Sequence, residues 1–245
     1  MWEPLTISLL IIIFITAGFA RSAMGFGDAV IAMPLLILLL GAQQATPLFA
    51  ITGNALTWVI IATDWKVIDI KAVWKMVVGA IPGIILAVWV LQKGEEAIVL
   101  FLAILLLGNG VMSFIKTPKI PERWASPLAW IAGFFSGFSG GSTNLFGPPV
   151  AIYGAGMGWS PKVFRASMQS YFLPAGMIVL AGHGMAGLWT KDILYTTLYI
   201  LPASLIGLYF GKKVNDQISK AMFQKVLAIL FVLMSGLMFY QFFTN

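Results

Sequence analysis

Two stretches decide how this sequence is read: GFARSAMGFGDAVIAMPLLILLLG at residues 18–41 and GFFSGFSGGSTNLFGPPVAIYGAG at residues 133–156. Laid over each other with a shift of 115, they pair Gly18 with Gly133, Phe19 with Phe134, Gly25 with Gly140, Pro34 with Pro149, Ile37 with Ile152 and Gly41 with Gly156. Glycine and proline dominate these identities, so the repeat preserves backbone geometry more than side-chain filling. A weaker register, shifted by 124, pairs Trp65 with Trp189 and Gly83 with Gly207. The spacing predicts two repeats, residues 1–115 and 127–245, joined by a polar cytoplasmic linker at 116–126 that carries Pro118 and Pro121.

The surrounding composition says what kind of repeat this is. The chain has 245 residues, 60% of them apolar and 10% charged, with a mean hydropathy of +0.93. Soluble proteins run at about 45–50% apolar and about 25% charged. Apolar runs lie near 5–20, 29–41, 45–63, 72–92, 97–115, 127–139, 145–157, 166–182, 193–211 and 221–243. Most approach the roughly 20 residues that a membrane helix needs. The second and seventh are too short and are expected to be short or interrupted helices. The first run lacks a basic leader and a cleavage pattern, so it is expected to stay as a helix. The expected fold is all-α, polytopic and membrane-embedded, and it leaves no length for a soluble catalytic domain.

Loop charges set the expected orientation. If the ten runs alternate sides, one face collects Lys66, Lys71, Lys116, Lys119, Arg123, Lys162, Lys212, Lys213 and Lys220, and the other only Lys93 and Lys191. Basic residues favour the cytoplasmic side, which puts both termini outside the inner (cytoplasmic) membrane. The net charge of +6 belongs to this bias rather than to a nucleic-acid partner; the bilayer is the expected partner. Five runs per half is an odd number, so the second half enters from the opposite side. That is an inverted repeat, a common architecture of secondary transporters.

Chemistry-bearing residues are few. With no cysteine and one histidine, thiol catalysis, a disulfide, a metal site and the constellation of a membrane-embedded enzyme are all disfavoured, and no cofactor is expected. A structural or assembly membrane protein is the other class to weigh against transport. Polar residues concentrate in Arg21–Asp28 and Ser139–Asn144, between a long run and a short one. Asp28, Ser142, Thr143 and Asn144 are residue types that cap helix N-termini, and Pro34 and Pro149 are expected within the first turns of the helices that follow or at their first positions. A helix starting inside the membrane aims free N–H groups and partial positive charge at its surroundings, which favours an anion. The expected binding set is Gly25, Phe26, Gly27, Asp28, Gly140, Gly141, Ser142, Thr143 and Asn144. The two loops are expected to converge near the midplane.

Asn54 and Gln169 hold equivalent positions in the third run of each half, open to both cavity lining and interhelical bonding. Arg165 shares a helical face with Gln169 and serves equally as an anion ligand or as a basic boundary residue. His183 is expected in an outer loop. Small residues at four-residue spacing, at Gly79 and Gly83, at Gly207 and Gly211, and at Gly133, Gly137 and Gly141, are expected to form packing faces.

The run Gly133-Phe134-Phe135-Ser136-Gly137-Phe138-Ser139-Gly140, continuing through Gly147-Pro148-Pro149-Val150-Ala151-Ile152-Tyr153 to Phe164-Arg165-Ala166, resembles the second-half signature of the TauE/SafE family of sulfite and organosulfonate exporters. Gly25-Phe26-Gly27-Asp28 with Pro34-Leu35-Leu36 is similar to that family's opening motif. The resemblance covers essentially the whole chain. It implies a permease for a small sulfur-containing or carboxylated anion, with a proton or a sodium ion as the coupling class and room for a homodimer. One departure stands out: Asp28 replaces the family's usual glycine. A carboxylate beside an anion site repels the substrate unless it is protonated or paired. Three roles are open for it: pairing with Arg21, capping the helix, or carrying a coupling proton.

Overall fold

The computed structural model describes residues 2–24, 27–64, 69–112, 114–115, 117–214 and 220–244, with backbone alone at 24, 62–64, 161, 162, 165, 220–224 and 227. Each apolar run becomes one helix. The first half holds α1 (Pro4–Met24), α2 (Asp28–Leu40), α3 (Ala42–Asp64), α4 (Ile70–Lys93) and α5 (Glu95–Met112). The second holds α6 (Glu122–Thr143), α7 (Gly147–Gly156), α8 (Pro161–Met185), α9 (Lys191–Val214) and α10 (Lys220–Thr244). No strand occurs among the described residues.

The helices α1, α4, α5 and α9 are long and apolar enough to cross a membrane. By contrast α2 has 13 residues and α7 has 10. At about 1.5 Å per residue neither spans the roughly 30 Å hydrocarbon core by itself. The chain is an all-helical, multi-pass membrane protein with two short helices among long ones.

Several local expectations need correction. Helix α6 starts at Glu122, inside the segment read as linker, because Pro121 holds the extended backbone (φ −61°, ψ 144°) that leads into a helix. The N-cap of α2 is Gly27 at φ 110°, not Asp28, which is the first helical residue. Only glycine takes that φ without strain. Ser142 and Thr143 close α6 instead of opening α7, and Asn144 is the α6 C-cap at φ 57°. A left-handed exit suits asparagine, and it leaves Phe146 as the N-cap of α7. Pro34 sits inside α2, past its first turn. His183 is not in a loop: α8 runs on to Met185 and buries the ring completely.

The packing crosses between halves. Helix α1 lies against α9 and α6 against α4, while α3 meets α8 and α5 meets α10. Glycine makes the first two contacts close. A methyl group at Gly18 would overlap the Ser204 carbonyl, and one at Gly207 the Ile15 carbonyl. In the other pair, Gly83 faces the Phe134 carbonyl and Gly137 the Ala80 carbonyl with no room for a Cβ. Large side chains point the other way. On α9, Tyr195, Leu198, Tyr199, Ile206, Tyr209 and Phe210 are exposed, whereas Ala203, Ser204, Gly207 and Gly211 are buried. Small residues inside and bulky ones toward lipid is how membrane helices pack without a hydrophobic drive between them.

This packing has a direct check. Gly207→Val forces the α1–α9 backbones apart and should destabilise the detergent-solubilised protein by about 1–3 kcal/mol, as overpacking does. Gly108 meets nothing within 4 Å, so Gly108→Ala should be neutral or stabilising by up to about 1 kcal/mol. Thermal unfolding of the two variants beside the parent chain measures the contrast.

Candidate functional site

Both helix interruptions border one cavity. Helix α1 stops at Met24, and Gly27 turns the chain into α2. Arg21, in the last turn of α1, therefore faces Asp28 at the start of α2, and the two form a buried ion pair with Nη1 to Oδ2 at 2.6 Å. Arg21 Nη2 donates to the Thr57 hydroxyl on α3 at 2.5 Å and more distantly to Gln169 Oε1 on α8 at 3.4 Å. The Thr57 hydroxyl in turn donates to the Gly53 carbonyl at 2.9 Å. One guanidinium thus links α1, α2, α3 and α8. Its Nε is buried without a partner among the described residues.

The second interruption is closed by hydroxyls. Ser136 donates to the Phe146 carbonyl at 2.6 Å and Ser139 to the Leu145 carbonyl at 2.8 Å. These bonds hold the backbone of the α6–α7 turn, whose carbonyls have no helical partner of their own. The Asn144 amide donates to the Thr46 carbonyl at 2.8 Å, and the Thr46 hydroxyl to the Ser142 carbonyl at 3.1 Å. That exchange fastens the end of α6 to the start of α3.

Between these seals runs a cavity of about 50 Å³. Arg21, Gly27, Asp28, Thr57, Asn54 and Asn144 supply its polar lining, and Phe49, Phe146 and Phe172 its aromatic wall. Arg21 is tied to Thr57 and Asn144 to Thr46. These α3 residues lie eleven positions apart, roughly 16 Å along the helix. The two interruptions therefore occupy different levels of α3 instead of meeting face to face. The volume suits a small polyatomic ion or a few waters and is far below the roughly 300–1,000 Å³ of a drug-sized pocket. Charge sits at one end only: the ion pair lies beside the first turn of α2, whose residues Gly27–Val30 line the cavity. Helix α7 offers less, since Pro148 and Pro149 have no N–H to give.

The expected binding residues divide accordingly. Gly27, Asp28, Asn54 and Asn144 line the cavity, with Asn54 Nδ2 also 3.4 Å from the Leu173 carbonyl. Gln169 reaches it through Arg21. Ser142 and Thr143 do not: their hydroxyls donate back to the Phe138 and Ser139 carbonyls of their own helix, both at 2.8 Å. Hydroxyls in a last helical turn find those carbonyls closer than any ligand. Gly140 faces the Phe146 ring, and Gly141 packs on Ile84 and Ala87 of α4 while its carbonyl accepts from His183 Nε2 at 3.2 Å. Gly25, Phe26 and the Arg165 side chain lie outside the described residues. Sequence reasoning missed Thr57 and the three phenylalanines. Thr57 stands three residues after Asn54, on the same helical face, and that spacing could have found it.

The family model for the sulfite exporter TauE/SafE matches residues 10–238, a span that contains both interruptions and every cavity residue. The chain belongs to the TauE/SafE family. No curated protein and no solved structure gives a match. As a TauE/SafE member it is a membrane transporter of the sulfite-exporter type, and a small anionic substrate is implied.

The hydrogen bonds separate structural from cavity polar groups by their removal. Asp28→Ala leaves Arg21 buried and uncompensated, and should destabilise the protein by about 3–5 kcal/mol. Ser142→Ala removes only a buried hydroxyl bond within α6 and should cost no more than about 0.5–1.5 kcal/mol. Thermal melts in detergent would check both values.

Proposed function

We propose that this TauE/SafE protein is a secondary transporter that carries a small oxyanion, of the sulfite, organosulfonate or small-carboxylate class, across the cytoplasmic membrane. The cavity along α3 is its binding site. The observation that carries this reading is the Arg21 side chain, which lines the cavity with a buried Nε lacking a partner among the described residues. A guanidinium presents planar N–H donors that match sulfonate or carboxylate oxygens. The first turn of α2 adds the positive end of a helix dipole, worth about 0.3–2 kcal/mol. Asn54 and Asn144 supply amides, and the phenylalanines exclude competing water.

We further propose that α1–α5 and α6–α10 are inverted repeats. The crossed pairing supports this: α1 with α9 and α6 with α4 are exchanged by swapping halves, while α3 with α8 and α5 with α10 map onto themselves. An inverted pair accounts for two short helices that approach one cavity from opposite ends, as alternating access requires. The orientation then follows the loop charges, with the linker cytoplasmic and both termini outside. Reporter fusions should show residue 120 in the cytoplasm and both termini outside. An external reporter at 120 would remove the orientation, and a reporter at 120 on the same side as the termini would remove the inversion.

Transport tests the site. In proteoliposomes with labelled sulfite and labelled methanesulfonate, wild type should take up at least one of them, with mutual competition. Arg21→Gln should reduce uptake at least tenfold, the loss of one charge-assisted bond of about 1.5–3 kcal/mol. Asn54→Ala should weaken half-saturation less, by up to about tenfold. Full uptake by a folded Arg21→Gln protein would place the site elsewhere.

A further inference from the structure

Asp28 is the residue that anion transport explains least. It lines the cavity and is 7% exposed, and it already holds the guanidinium that an incoming oxyanion needs. The charged and polar groups around it are few. Helix α1 contributes Arg21; α3 contributes Thr57 and Asn54, and α8 Gln169, all uncharged. Helix α5 has acids in its first turn, but Glu95 sits by Gly41 and Gln43, beyond the far end of α2. On α10, Lys225 is exposed. Among the described residues, the empty cavity is therefore a neutral unit of one buried cation and one buried carboxylate.

Adding an anion breaks that neutrality. With the oxyanion and Asp28 both ionised beside Arg21, a buried site would carry an unpaired negative charge, which a low-dielectric interior disfavours strongly. An ordinary aspartate lies about three pH units below neutrality. Taking up a proton is the smaller change.

We propose that the oxyanion and Asp28 compete for Arg21, and that Asp28 binds one proton whenever the oxyanion holds the guanidinium. This rests on reading the cavity as the anion site. In the loaded state the Nη1–Oδ2 contact is broken, an O–H bond forms on the Asp28 carboxyl with a proton from the water that admitted the anion, and Arg21 is paired with the oxyanion. When the anion leaves on the other side, the carboxyl releases that proton to the water there and re-pairs with Arg21. Re-pairing blocks protonation of the empty site, so a proton does not cross alone. Each monovalent anion moves with one proton and no net charge, in whichever direction the combined gradients favour.

The test counts protons on binding to the purified full-length protein. Methanesulfonate is the probe, because it stays ionised at every pH used and contributes no proton of its own. Wild type should take up about one proton per anion bound in weakly buffered solution, and its affinity should fall about tenfold for each unit of rising pH between 6 and 8. Asp28→Asn should bind with no proton uptake and no pH dependence, and Asp28→Glu should restore both. If Asp28→Asn does not fold, the wild-type proton count and Asp28→Glu still decide. Wild-type binding without proton uptake overturns the proposal and leaves the anion site standing, as does binding that requires sodium in place of a proton. If the protein binds neither methanesulfonate nor sulfite, the anion site itself fails and the coupling fails with it.

Discussion

A backbone N–H or C=O left unpaired in hydrocarbon costs several kcal/mol, so a membrane helix can stop part-way only where protein supplies the missing partners. This chain interrupts two helices and meets that constraint differently each time. At the α6–α7 turn, the Ser136 and Ser139 hydroxyls hold the Phe146 and Leu145 carbonyls, and Asn144 reaches Thr46. At the α1–α2 turn the seal is ionic, with Arg21 and Asp28 bridging the break. The first seal is made by side-chain donors on backbone carbonyls. The second leaves Nε without a described partner, and that difference is why we place the anion at the α1–α2 end.

The same constraint explains the glycines. The long helices around the two interruptions approach so closely that their contacts leave no room even for a Cβ. Gly18 and Gly207 bring α1 to α9, and Gly83 and Gly137 bring α4 to α6. These contacts leave α3 and α8 free to flank the cavity between the pairs. The cavity is thus a consequence of the packing, and the bulky residues are displaced to the lipid-facing surface.

The helices were legible because apolar runs in a chain this poor in charge have few alternatives. The two short ones were marked by the glycine-rich stretches before them more than by length, since the run at 127–139 is as short as that at 29–41 yet belongs to the 22-residue α6. Asn54, Gln169, Arg21 and Asp28 stood out for a related reason: a polar residue within an apolar run is costly and therefore conspicuous. Ser142 and Thr143 were not. The residue types that cap an N-terminus are also those that bond back to carbonyls in a last turn, and only the position of the break tells them apart. Composition also hides a cavity's apolar wall. Phe49, Phe146 and Phe172 carry the same side chain as Phe210, which faces outward.

What joins these elements is a single guanidinium, which seals a broken helix and, in the function we propose, also receives the anion. Its location can be tested by eye. Crystals of the protein soaked in selenite, the selenium analogue of sulfite, would reveal the bound anion by anomalous scattering at the selenium edge. The expected result is one strong peak inside the cavity, within hydrogen-bond distance of Arg21 and beside the first turn of α2. A peak elsewhere in the membrane domain, with Arg21 still fully engaged by Asp28, would contradict the account.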